Sequence, residues 1–294
     1  MDTKNTKTKA IFFALLAAVL YAINSPFSKL LLAEIPATMM AAFLYLGAGL
    51  GLFFMGLLQK LCGKKEKELP LTKKEFPFTI GMVLLDIAAP IFLMIGLKHT
   101  TAANASLLNN FEIVATSIIA LFVFREAISK RLWLAIALVT LSSMILSFED
   151  ISSLSFSYGS IFVLLACVCW GFENNCTRML SSKNPLEIVV IKGFGSGLGS
   201  LIIAFARGET LPSVLLILCA LLLGFVAYGL SIYFYIYAQR DLGAAKTSTY
   251  YAVAPFVGAG LSLLIFLERP SISYIIALAI MGVGTYFAST DAEA

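Results

Sequence analysis

Ten apolar stretches, near residues 10–33, 38–58, 76–97, 102–123, 131–148, 157–181, 187–206, 212–238, 244–266 and 271–289, fill this chain. Each is close to the roughly 20 residues a helix needs to cross bilayer hydrocarbon. Apolar residues make up 60% of the 294 and charged residues 13%, with a mean hydropathy of +0.91, so there is too little polar surface to cover a soluble globule. A spanning backbone in lipid must satisfy its own hydrogen bonds, so the expected fold class is an all-α integral membrane protein of ten transmembrane helices. The short links leave no room for a soluble catalytic domain.

The chain also repeats itself. Shifted by 149, Tyr21–Lys29 with Pro36 falls on Trp170–Arg178 with Pro185. Shifted by 142, Ala102–Ser106 with Glu126 falls on Ala244–Ser248 with Glu268, and a longer loop at 59–75 absorbs the difference of seven. Residues 1–149 and 150–294 are therefore expected to form two five-helix repeats. An odd number of spans per repeat makes the second copy enter the membrane from the opposite side, an arrangement that secondary transporters use to open one site to either face.

Basic residues set the orientation. With the N-terminus inside, inner segments hold fifteen (Lys4, Lys7, Lys9, Lys60, Lys64, Lys65, Lys67, Lys73, Lys74, Arg125, Lys130, Arg131, Arg178, Lys183, Arg240) and outer ends hold four (Lys29, Lys98, Arg207, Arg269). Both termini are thus expected in the cytoplasm, in a multi-pass protein of the plasma membrane. The net charge of +4 follows from this bias and gives no reason to expect a nucleic-acid partner. The first span follows three lysines as a signal peptide would, but it is too long and has a partner in span six. Five cysteines, Cys62, Cys167, Cys169, Cys176 and Cys219, form neither a disulfide framework nor a zinc spacing, and the single histidine, His99, falls in a loop. There is no phosphate-binding GxxxxGK[ST] loop, so a self-contained ATP-driven pump is not expected; with His99 in a loop and no paired metal ligands at i, i+4, neither an intramembrane enzyme nor a cofactor is expected.

Ionisable residues inside spans cost roughly 2.5–3.5 kcal/mol each on insertion scales and point to function. There are five: Asp86, Glu112, Glu173, Lys192 and Lys246, whose repeat mates Tyr228, Ala254, Asn24, Phe43 and Asn104 are uncharged. Glu173 lies one helical turn from Trp170, and a carboxylate beside an indole face suits an ammonium group; alternatively, Glu173 pairs with Lys192 and locks spans six and seven. Asp86 precedes Pro90, which frees carbonyls one turn back, a setting for a cation or a carried proton; its other reading is a hydrogen bond to Tyr228. Glu112 suits helix packing as well as substrate contact, and Lys246 lies close enough to the inner end of span nine to snorkel. Asn104, Asn109, Asn110, Asn174, Tyr250 and Tyr251 add neutral polar lining, with Asn109 opposite Tyr251 in the repeat. Tyr233, Tyr235 and Tyr237 step by two and cannot share one cavity, while Gly47, Gly49 and Gly51, like Gly193, Gly195, Gly197 and Gly199, offer close helix contacts.

The ten spans, the duplicated unit, the run from Ala103 to Glu112 with Glu126 beyond it, and Ala254-Pro255 with Glu268 resemble the drug/metabolite transporter superfamily, EamA-like branch. The resemblance implies that spans one, three, four, six, eight and nine surround a midplane cavity and that spans five and ten are peripheral. It also implies a Glu-Pro pair in spans four and nine, which is split here into Glu112-Ile113 and Ala254-Pro255. A basic residue seven positions after the proline that opens spans two and seven occurs once, as Lys192 after Pro185, with Phe43 after Pro36. Some members of the superfamily take up choline, and the Trp170–Glu173 turn is similar to theirs. Three acids against two bases favour cationic or zwitterionic solutes.

The expected function is secondary transport of a small polar organic metabolite by alternating access. Its substrate would be bound by Glu173, Trp170, Asp86, Glu112, Lys192, Asn109, Tyr251, Tyr228, Asn174 and Lys246. Its partners would be the solute, the bilayer and coupled protons, and the protein would be a monomer or homodimer. An exporter of nucleosides, metabolites or drug-like solutes without cation preference stays open, as does a channel or membrane scaffold.

Overall fold

The structure, a computed structural model, describes residues 3–62, 69–125, 128–150, 155–180, 183–242, 247 and 250–291. It is helical throughout except for a short antiparallel ribbon, β1 (Phe148–Asp150) with β2 (Ser155–Phe156), which the periodicity of the sequence does not predict. The helices are α1 (Thr3–Ala22), α2 (Asn24–Leu31), α3 (Ala37–Leu61), α4 (Phe76–His99), α5 (Ala102–Leu108), α6 (Phe111–Phe124) and α7 (Lys130–Ser147). The second half holds α8 (Tyr158–Leu180), α9 (Pro185–Ala206), α10 (Val214–Gly224), a π-helical segment (Phe225–Leu230), α11 (Ser231–Leu242), α12 (Ala254–Phe266) and α13 (Ile272–Asp291).

Among the described residues, nine helical stretches are long and apolar enough to span a membrane, and they match nine of the expected spans within three residues at each end. The expected span at 244–266 is described only in part. Its apolar helix, α12, covers 13 residues, and residues 243–246 and 248–249, including Lys246, lie outside the described set.

Four spans depart from regular α-helix, each for an identifiable reason. Pro26 has no N–H to give Ala22, so α1 stops and α2 starts after a turn at Ile23. Span four breaks into α5 and α6 at Asn109 and Asn110, where Asn110 Nδ2 donates to the Leu107 carbonyl at 3.2 Å and the Cys167 thiol approaches the carbonyls of Leu108 and Asn109. Pro255 opens α12 after a turn at 252–253. Span eight widens into the π segment that carries Tyr228. Irregular backbone at membrane depth is tolerated where protein or a cavity covers it, and the turns at 23 and 109–110 are largely buried.

The helices pack in recurrent pairs: α3 along α9, α7 along α13, α4 along α8, and α1 along α11. The α3–α9 crossing brings backbones into contact, since a Cβ on Gly193 would lie 2.4 Å from Gly49 Cα. α7 and α13 are further tied by the Ser142 hydroxyl, which donates to the Ala277 carbonyl at 2.6 Å. Arg125 and Leu267 end α6 and α12 in the same left-handed conformation, with φ of 56° and 52°.

Candidate functional site

Three of the five in-span charges meet. α4 and α8 run side by side, and α9 is held against α4 where the Ser196 hydroxyl donates to the Val83 carbonyl at 3.2 Å. Lys192 lies one turn before Ser196 and Asp86 nearly one turn after Val83, so that seam aims ammonium at carboxylate. Lys192 Nζ is 3.1 Å from Asp86 Oδ2 and 2.9 Å from Glu173 Oε1. Asp86 has no exposure, Glu173 2% and Lys192 8%. The approach to Asp86 Oδ2 is out of line for a hydrogen bond, so that oxygen has a charge partner and no donor. The expected alternative of a Glu173–Lys192 pair is thus present, enlarged to a triad by Asp86.

The alternative reading of Asp86, a hydrogen bond to Tyr228, is not what the structure shows. Its Oδ1 accepts from the Tyr45 hydroxyl at 2.8 Å, while the Tyr228 hydroxyl accepts from Asn24 Nδ2 at 3.1 Å. The Tyr45 and Tyr228 rings are still neighbours, with centroids 5.1 Å apart. Tyr45 on α3 was legible only as an aromatic in an apolar span, because nothing in the sequence pairs spans two and three at this depth. Thr177, one turn after Glu173, also donates to Glu173 Oε1.

From Tyr228 an aromatic wall continues to Tyr21 at 6.0 Å, from there to Tyr251 at 5.9 Å, and on to Tyr235 at 5.0 Å. Trp170, 5% exposed, is buried one turn before Glu173. Tyr21 and Tyr251 keep some accessible surface although they sit mid-span, so the bundle centre is not sealed. Tyr233 accepts from Gln59 Nε2 and Tyr237 packs on Phe13, which separates them from Tyr235 as their spacing requires.

Glu112 stands apart from the triad. Gly171 lets α8 approach α6 so closely that a Cβ there would lie 2.7 Å from Ala115 Cβ. That approach brings Asn174 Nδ2 to 2.6 Å from Glu112 Oε1 and 3.3 Å from Thr116 Oγ1. Asn109 is 6% exposed, and its side-chain oxygen has no protein donor, which leaves an acceptor for a ligand at the helix break. Lys29, expected only as an outer-end charge, donates instead to the carbonyls that end α4, those of Leu97, Lys98 and Thr100. No cluster of three His, Cys, Asp or Glu side chains suited to a metal ion occurs among the described residues.

Fold and geometry together define a polytopic helical membrane protein with a buried charged cluster. The chain belongs to the EamA-like transporter family, whose model matches residues 8–148 and again 157–290. It is 26% identical over 297 residues to an uncharacterized transporter of Methanothermobacter thermautotrophicus, covering 92% of this chain and 83% of that one. It is 23% identical over 173 residues to the uncharacterized transporter YyaM of Bacillus subtilis, covering 55% of this chain and 56% of that one. A solved chain described only as the crystal structure of a protein has the same fold, with a TM-score of 0.67 at 15% identity over 97% of this chain and 99% of its own. The protein is a multi-pass membrane transporter.

Proposed function

We propose that this transporter moves a small organic cation or zwitterion across the plasma membrane, by alternating access between inverted repeats at 1–149 and 150–294. The observation that carries the substrate class is the triad: two buried carboxylates share one ammonium, which leaves one surplus negative charge beside Trp170 and the tyrosines. A cationic group entering here gains both the surplus charge and an aromatic face. If the solute also has a carboxylate, Lys192 can turn to it while Asp86 and Glu173 take the ammonium.

Three observations support the repeat. The family model matches once in each half, the left-handed ends at Arg125 and Leu267 are 142 residues apart, and α3–α9 and α7–α13 each pair spans that the repeat makes equivalent. Inverted halves meeting at broken helices place a site that either face can reach.

The test is a thermal-shift screen of the purified protein with choline, tetraethylammonium, amino acids, nucleosides and sugars, followed by uptake in proteoliposomes. Ligands that bind the native state raise the melting temperature. Amines or amino acids should lead the ranking, and their uptake should saturate. A ranking led by anions or sugars overturns the cation preference, and flux linear in concentration overturns transport by alternating access.

A further inference from the structure

Glu112, partly buried within span four, stands without the cationic partner that the fully buried Asp86 and Glu173 have among the described residues. Asp86 and Glu173 share Lys192, whereas Glu112 has no basic side chain within salt-bridge distance among the described residues and accepts instead from the Asn174 amide. A carboxylate held mid-span without compensation is costly, and the usual relief is a proton or another bound cation. The cations on the surrounding elements are Lys192 and, in the adjoining cavity, Arg178. The titratable groups within electrostatic reach are Tyr21 on α1, Cys167 and Glu173 on α8, Tyr228 on the π segment and Tyr251 before α12, with Lys192 on α9 already committed to two carboxylates.

A second observation supplies access. A cavity of about 200 Å³ lies between α6, α7 and α8, lined by Thr116, Ser117, Ala120, Asn174, Asn175 and Arg178, with Ile128 and Leu132 at its rim. Ile128 belongs to the loop before α7 and Arg178 to the last turn of α8, so the cavity opens at the face where α6 and α8 end. Its lining includes Asn174, whose amide donates to Glu112, and Thr116, whose hydroxyl accepts from that same amide. The space exceeds what one water molecule needs, and its polar wall offers several partners to such a water.

We propose that Glu112 is a proton-binding site distinct from the substrate triad, served from one membrane face by this cavity, with Asn174 and Thr116 as the gate between them. In the step itself, protonated Glu112 gives its proton to a cavity water, leaving a carboxylate that keeps the Asn174 hydrogen bond and a hydronium that leaves through the cavity. The reverse step consumes a hydronium from the same face. Its consequence, coupling of a proton to solute movement, rests on the transporter reading; the protonation is measured without transport, so the two can fail separately.

The experiment is infrared difference spectroscopy of the full-length protein in lipid bilayers across a pH titration, with exchange into deuterated water. A protonated carboxyl C=O band should be present near neutral pH, disappear as pH rises, and be absent in Glu112→Gln. In Glu112→Asp, which keeps the acid should the Gln variant misfold, the band should change frequency. Ala120→Trp, which fills the cavity, should slow deuteration of that band by about tenfold or more, a barrier change of ~1.4 kcal/mol. A band unchanged in both Glu112 variants overturns the site, as does a carboxylate that responds to sodium ions and not to pH. Unslowed deuteration in Ala120→Trp overturns the route.

Discussion

Lys192 is the residue on which most of the site depends, because it neutralises one charge of a pair that nothing else within the described residues compensates. Breaking a buried pair from one side leaves an unpaired charge and costs roughly 3–5 kcal/mol. Lys192→Met should therefore lose about that much stability in denaturant titrations of the purified protein, since it strands two carboxylates together. Glu173→Gln should lose less, about 1–3 kcal/mol, because the Asp86–Lys192 pair survives it. Adding Lys192→Met to Asp86→Asn and Glu173→Gln should recover stability relative to Lys192→Met alone. Equal losses for the two single variants would show that the triad is not an energetic unit. At Trp170, replacement by Leu keeps an apolar side chain and removes the ring quadrupole, worth roughly 0.5–2 kcal/mol. Affinity for the best cationic ligand of the screen should fall between about twofold and thirtyfold, beside a lower melting temperature from the cavity that Leu leaves in this buried position; an unchanged affinity would remove the indole from the site.

At the scale of elements, small residues decide which helices can touch, and turn conformations decide where they stop. Gly193 meets the backbone of α3, whereas Gly282 on α13 has nothing within 4 Å of where a Cβ would be. Gly193→Val should destabilise by about 3 kcal/mol through overpacking, while Gly282→Val should stay within about 0.5 kcal/mol. Comparable losses at both sites would mean that the α3–α9 contact is not made. Leu267, 85% exposed, ends α12 with φ of 52°, a conformation that costs a non-glycine residue roughly 1–2 kcal/mol. Leu267→Gly should stabilise by about 0.5–1 kcal/mol after the entropic loss of glycine is subtracted. No gain would place the end of α12 in another conformation.

For the whole molecule, the first expectation to test is orientation. Basic residues held inside predict a cytoplasmic reporter at Lys65, which lies outside the described residues, and an external one at Asp150 between the halves. Opposite labelling would overturn the orientation and make the Glu112 cavity an external one. If the halves alternate, solute uptake by proteoliposomes should respond to an imposed pH gradient, and Glu112→Gln should lose the response while Asp86→Asn keeps it. Transport indifferent to the gradient in the parent protein would leave exchange or facilitated diffusion.

The sequence by itself determined the class of fold: apolar runs of spanning length have one solution in lipid, and nine of the ten expected runs are found within three residues of their limits. It also singled out Asp86, Glu173 and Lys192 as candidates, because burial of charge is costly wherever it occurs. What it left open was who partners whom. Tyr45 was invisible as a ligand of Asp86, and Lys192 was assigned one carboxylate where it holds two, because both facts depend on how α3, α4, α8 and α9 rotate about their axes. That rotation is fixed by glycine contacts such as Gly49–Gly193 and by single hydrogen bonds such as Ser196 to Val83. In a chain apolar on nearly every side, periodicity names no inner face, so only packing could separate the compensated acids from Glu112.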